Sequence, residues 1–322
     1  MADRSKITCG LAALAAGLSL LTAMSIPAAA SSTIRFAYLK TISLMPFIYG
    51  EKKGYFKAEG IDLDMIAVPG GPAVGAAIAS GSADIGYAAP TPIAIARGQG
   101  QPFKFFMSLE YERTPDHLWG YMLASEKSGV KSLQDLVGKT IVVGVPGGLC
   151  ELTARDWLKK AGIDVGKVKF LNNPFPQMPA MLEVGTADAA CIAEPFASAA
   201  INSKAKAVTL ARGFLAEVPV RYRIEGLFAK EDWIASHKQE IAALKRAFLR
   251  ATEDLRKDPA IAKEILSEEY RFPPALADSL KLYDVTDVEP VASDYQPVLD
   301  KMLEYQMLPK PMKAEDLIAN IN

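Results

Sequence analysis

The sequence predicts an α/β protein of two doubly wound lobes followed by an all-helical segment. Strand-like and helix-like stretches alternate almost without interruption over 33–210, the pattern of βαβ units on largely parallel sheets. Two short motifs recur, one copy in each half: Val68-Pro69-Gly70-Gly71 returns as Val145-Pro146-Gly147-Gly148, and Gly81-Ser82-Ala83-Asp84 returns as Gly185-Thr186-Ala187-Asp188. The intervals differ, so this is no tandem repeat; two lobes of related construction account for it, with chance in a Gly/Ala-rich chain as the alternative. A length of 322 residues agrees with two domains of ordinary size.

In the first series, 33–39 reads as a strand. Pro46 then opens a helix to about Ala58, which Gly60 stops. A strand over 61–68, a small-residue helix over 72–80 and a strand over 83–89 follow. Thr91 is expected to cap a helix whose first position is Pro92, and 104–109 is a fourth strand. The second series begins after about Tyr121. Ser132 and Asp135 have capping-box spacing. Strands are expected over 140–145, 167–171, 187–193 and 206–210. The helices between them run over 149–161, up to Glu183, and from Pro195 onward. Beyond about Ile224 no strand is evident. One long charged helix is expected over 233–257, broken by Asp258-Pro259, then helices near 260–269, 274–282 and 293–308 that pack back onto the first lobe. The expected division is lobe one over 31–121, lobe two over 122–224, and a return to lobe one over 225–322.

Residues 1–30 read as a cleavable export leader. Arg4 and Lys6 precede an apolar run over 11–26, and Pro27-Ala28-Ala29-Ala30 supplies small residues before a cut after Ala30. The alternative, an N-terminal membrane anchor, has a short run for a spanning helix. Export would place the protein in the periplasm. Lys plus Arg (36) nearly balances Asp plus Glu (37), which leaves no basic field for nucleic acid or an anionic membrane. With two histidines, His117 and His237, there is little material for a multi-His metal site, and no cofactor motif is found. Cys150 and Cys191 remain after processing, either paired or as two buried thiols.

In open parallel sheets ligands bind beyond the carboxyl ends of the strands. The loops there carry the candidate residues. Gly70, Gly71, Gly147 and Gly148 would let backbone approach a ligand, and the helix starts behind them offer N–H donors to an anion. No phosphate loop or dinucleotide fingerprint is present. Lys40, Thr41 and Ser43 would meet an anionic group; Phe175 and Phe196 are cleft aromatics or core; Glu194, before Pro195, is a helix cap or a contact. Glu110, Arg113, His117 and Trp119 lie near the crossover between lobes, and Arg221 and Arg223 near the return.

At these residues the chain resembles the binding proteins of ABC importers grouped with nitrate, sulfonate and taurine binders and the NMT1/THI5-like domain. The carriers are Gly54-Tyr55-Phe56, Glu59-Gly60-Ile61, Gly70-Gly71, Ala79-Ser80-Gly81-Ser82-Ala83-Asp84-Ile85-Gly86, Leu136-Val137-Gly138-Lys139-Thr140-Ile141-Val142-Val143, Gly185-Thr186-Ala187-Asp188-Ala189 and Glu194-Pro195. The resemblance implies a type II periplasmic-binding-protein fold, with two lobes that close on a solute about a hinge. It implies contacts at Lys40, Thr41, Gly70, Gly71, Pro90, Thr91, Gly147, Gly148, Leu149, Cys150, Asn173 and Glu194. It also implies a permease and an ATPase as partners of a monomeric, non-enzymatic binder. A sulfonate, nitrate-like or aromatic-acid ligand is expected. A zwitterion or a thiamine-pyrimidine-like heterocycle is the alternative, because Glu110 and Glu194 would repel an anion. Two other functions stay open: an enzyme on the same fold, with Cys150 as nucleophile and His117 as base, and a binder that feeds a sensor.

Overall fold

Each lobe is built on a five-stranded sheet, and the chain passes between the sheets twice. A computed structural model describes residues 31–112, 118–215, 221–273, 277, 285 and 287–321. The expected leader, Arg113, His117 and most of the helix expected over 274–282 lie outside the described residues.

The first series gives β1 (Ser32–Tyr38), β2 (Ile61–Ala67), β3 (Ile85–Ala88) and β4 (Phe103–Ser108). Where one helix is expected over 46–58 there are two, α1 (Met45–Lys52) and α2 (Tyr55–Ala58). Gly54 between them is left-handed at φ 69°, so the turn departs from the helical path there. α3 (Gly71–Ser80) and α4 (Pro90–Gly98) follow. The expectation for Thr91 is corrected: α4 starts at Pro90 with Ala89 as its N-cap, and Thr91 lies in the first turn.

β5 (Tyr111–Glu112) leaves the first lobe, and β6 (Gly120–Ala124) enters the second. There β7 (Thr140–Val142), α5 (Leu149–Lys160), β8 (Lys169–Leu171), α6 (Met178–Val184), β9 (Ala189–Ala193), α7 (Phe196–Ile201) and β10 (Val208–Arg212) complete the sheet. The Ser132–Asp135 capping box is present. The chain returns through β11 (Tyr222–Arg223), which pairs with β5, and then forms β12 (Gly226–Lys230) between β3 and β4. β12 corrects the expectation of no strand beyond Ile224.

β1, β2 and β3 are parallel to one another, as are β7, β8 and β9. β6 runs against β9 and β10, and β12 runs against β3 and β4. Each sheet thus has one antiparallel strand, and it is the strand formed on arrival from the other lobe. The parallel strands end at the cleft, so a chain that enters from the hinge must run away from it.

Beyond β12, the long helix expected over 233–257 is split at His237 into α8 (Glu231–Ser236) and α9 (Lys238–Lys257). The His237 ring stacks on Trp233 with centroids 4.3 Å apart. α9 covers lobe one, where Phe47 packs against Phe36, Phe56 and Phe248 with centroids 5.1, 5.7 and 4.9 Å away. Burying each such ring contributes roughly 2 kcal/mol. α10 (Pro259–Tyr270), α11 (Ala292–Glu304) and α12 (Ala314–Leu317) complete the tail. α11 lies on α4 and β11, as a tail on lobe one requires, and it also reaches lobe two. Tyr305 just beyond it donates to Asp156 of α5 at 2.8 Å, and Lys159 pairs with Glu304 at 3.3 Å.

Candidate functional site

The hinge is a two-stranded ribbon, β5 on β11, organised by buried charges. The Glu112 carboxylate accepts the N–H groups of Trp119 (2.6 Å) and Gly120 (2.8 Å) from the outgoing crossover. From the return crossover it accepts the Phe214 N–H (2.5 Å) and the Tyr222 hydroxyl. Burial raises its pKa, and these donors oppose the rise. Arg223, 0% exposed, donates to the Leu109 carbonyl (3.0 Å) and to Asp294 (3.1 Å) and Asp287 (3.2 Å). Arg221 reaches the same two carboxylates at 2.7 and 3.0 Å.

Beside the ribbon the strand ends of both sheets line a cavity of two neighbouring chambers that share four lining residues. The outer chamber, about 70 Å³, takes Pro69, Gly70, Gly71, Ala89 and Pro92 from lobe one and Val145, Gly148, Leu149, Cys150 and Phe175 from lobe two. The inner chamber, about 20 Å³, is lined by Thr41, Ile42, Ser43, Glu110, Trp119 and Glu194. Ala193, Phe214, Ile224 and Glu225 line both. The two Pro-Gly-Gly turns do face one another. A Cβ on Gly70 would lie 2.6 Å from Val145 Cγ1, and one on Gly147, left-handed at φ 72°, would lie 2.9 Å from Ile95 Cδ1. The lobes meet there because neither glycine carries a side chain.

The polar end is acidic. Glu110 is 1% exposed, and burial first, then the charge of Glu225, pushes its carboxyl well above the usual range. Burial pushes Glu225 up to about 7 against hydrogen bonds from Ser43, Tyr87 and Thr41; the Ser43 hydroxyl lies 2.6 Å away. Glu194 is raised by burial and accepts the Ser198 N–H (3.1 Å) and hydroxyl (3.0 Å), while Pro195 is the N-cap of α7. Among the described residues that line the two chambers there is no Lys, Arg or His.

Ten of the sixteen residues singled out from sequence line the cavity: Thr41, Ser43, Gly70, Gly71, Glu110, Gly148, Leu149, Cys150, Phe175 and Glu194. The other six are not among its lining residues. The Lys40 ammonium donates to the Glu269 carbonyl and sits over the Tyr270 ring, 4.9 Å from its centroid, which answers its charge within the fold. Pro90 and Thr91 are buried in the first turn of α4, and the Thr91 hydroxyl has no hydrogen-bond partner among the described residues. The Gly147 N–H donates to Glu151 at 2.8 Å. Asn173 turns to the Met181 sulfur (2.9 Å), and Phe196 packs edge-on against Phe272, 5.8 Å away. Cys150 and Cys191 are buried free thiols, the second pushed well up by burial. Glu225 was missed in the sequence; its signal is a carboxylate directly after the Arg223 crossover, at the start of a strand that the sequence does not reveal.

Comparison with known proteins agrees with this architecture. Residues 41–262 match the model of a family described as NMT1/THI5 like. The chain is 25% identical over 227 residues to the nitrate import ATP-binding protein NrtC of Synechocystis sp., covering 65% of this chain and 32% of that one. It is 27% identical over 157 residues to the nitrate/nitrite binding protein NrtA of Nostoc sp., covering 48% and 35%. The matched stretches span about a third of the length of these curated relatives. The alkanesulfonate-binding protein SsuA from Xanthomonas axonopodis pv. citri, bound to MOPS, superposes with a TM-score of 0.75 at 19% identity, covering 89% of this chain and 98% of that one. The periplasmic nitrate-binding protein NrtA from Synechocystis superposes with a TM-score of 0.72 at 15% identity, covering 88% and 84%. These likenesses are of fold. With the family model matching more than half of this chain and with this two-lobed, hinged architecture, the chain belongs to the NMT1/THI5-like family and has the type II periplasmic-binding-protein fold.

Proposed function

We propose that this chain is the exported solute-binding subunit of an ABC-type importer, and that it captures one small organic molecule by closing its lobes. The observation that carries this is the cavity between the carboxyl ends of two sheets, lined by both lobes and backed by a two-crossover hinge. Lobe one comprises 31–121 and 225–322, lobe two comprises 122–224, and 1–30 is the leader. No described helix is long and apolar enough to cross a membrane. The protein acts as a monomer and delivers its cargo to a permease driven by an ATPase. The cavity serves binding rather than turnover: Cys150 lies against the buried Cys191 thiol, and the similar solved structures are named as binding proteins. Nitrate and alkanesulfonate are named in the relatives, and both are anions; an anion here would sit beside three carboxyl groups.

Small-angle scattering tests the reading. A compound that raises the melting temperature should also compact the protein, since only affinity for the closed form can drive closure. Stabilising compounds that leave the radius of gyration unchanged would count against it.

A further inference from the structure

Anion-binding clefts in α/β folds rely on free N–H groups at helix starts and on basic side chains. In this cavity the described lining residues include no basic side chain, and several of the helix-start donors are removed or taken. Pro72 removes a donor from the first turn of α3, and Pro90 and Pro92 remove two from that of α4. Just ahead of α5 the Glu151 carboxylate takes the N–H of the turn residue Gly147 at 2.8 Å, with Arg155 held on its other oxygen at 2.7 Å. At α7, Glu194 takes the Ser198 N–H. Lys40, next to Thr41, is turned to the Glu269 carbonyl, and Arg223, next to Ile224, is held by the Leu109 carbonyl, Asp294 and Asp287.

What the inner chamber offers instead is acceptors. Glu110, Glu194 and Glu225 share it with the hydroxyls of Thr41 and Ser43, while the outer chamber is apolar around Leu149, Phe175 and Phe214. We infer that the solute carries a positively charged nitrogen group, an ammonium or amidinium, seated against these three carboxyls, with an apolar ring-sized body in the outer chamber. This rests on the solute-binding reading. A cation entering the chamber relieves the repulsion among the carboxyls and draws them into their ionised forms, so binding near pH 7 releases protons to solvent.

The test uses probes matched in shape and opposite in charge: benzamidine against benzoate, extended to paired amines and carboxylates, with nitrate and benzenesulfonate as further anions. Melting temperature and calorimetry in buffers of different ionisation heat are the readouts. The expected result is amidine or amine binding at least about tenfold tighter than the matched anion, with proton release. Glu225→Gln and Glu110→Gln, each first shown to melt cooperatively, should cut that preference at least about tenfold while leaving anion binding weak. If a carboxylate, sulfonate or nitrate binds as tightly as its cationic match, the inference is overturned and the solute-binding reading stands. If no compound of either charge stabilises or compacts the wild-type protein, the solute-binding reading itself is overturned.

Discussion

The two ends of the cleft solve different problems with different material. At the mouth, Gly70 against Val145 and Gly147 against Ile95 bring backbone to the opposite lobe, and the surfaces there are apolar. At the hinge end, Glu110, Glu194 and Glu225 line the cavity, and Glu112 gathers four donors from both crossovers. The mouth is where the two lobes touch, and the hinge end is where the carboxyls gather. The carboxylate that joins the crossovers lies next in the chain but one to a carboxyl that lines the cavity, so the hinge and the cavity share one short segment.

Substitutions that strike one end and spare the other sharpen this contrast. Glu112→Ala should have the largest effect, because it leaves three buried backbone N–H groups and a tyrosine hydroxyl without their acceptor. A loss of about 4 kcal/mol in urea unfolding is expected, with Glu112→Gln intermediate. Gly70→Leu should leave folding nearly intact and hold the lobes apart. If the closed population falls to about 1%, apparent affinity drops about 100-fold, measurable by calorimetry alongside scattering. An unchanged affinity would show that the mouth does not govern closure.

The third prediction concerns pH. Glu225 rises from 4.5 to about 7 in the fold, where it faces Ser43, Thr41, Tyr87, Glu110 and Tyr270. Between these pH values the folded protein keeps a proton that the unfolded chain has released. Its contribution therefore favours folding at low pH and is lost as pH rises through that window, by roughly 1 kcal/mol per pH unit. Glu225→Gln should flatten the stability profile over this range; a parallel shift with unchanged slope would assign the titration to another group. Tyr305→Phe should have the smallest effect. It removes one hydrogen bond between the tail and lobe two, while Asp156 keeps Lys160 at 2.7 Å, so about 1 kcal/mol is expected in denaturant unfolding.

The alternating elements were legible because their signals are local. β2 shows period-two burial, Gly81 and Gly185 end their helices left-handed, and Ser132 and Asp135 close a capping box within four residues. The two arrival strands were not legible. Gly120–Ala124 is buried throughout and Gly226–Lys230 nearly so, and neither shows the alternation that marks a half-buried strand. The helix break at Gly54 had a visible glycine, whereas at the break the His237 ring stacks on Trp233 and its Nδ1 lies 2.8 Å from the Trp233 carbonyl, contacts that no local pattern announces.

The sequence by itself determined the α/β class, the two Pro-Gly-Gly turns at the cleft and the hinge position of Arg221 and Arg223, since these follow from periodicity, backbone permissiveness and chain order. Tertiary structure decided the direction of β6 and β12, the inward place of Glu225 and the outward turn of Lys40. Those depend on groups far away in the chain: the carbonyl that holds Lys40 lies 229 residues downstream, on a helix whose position the lobe-one core sets. The charge of a cleft is a sum over elements that only packing brings together, which is why an anion could be expected from Lys40 and the glycine turns while the assembled cavity presents carboxyls.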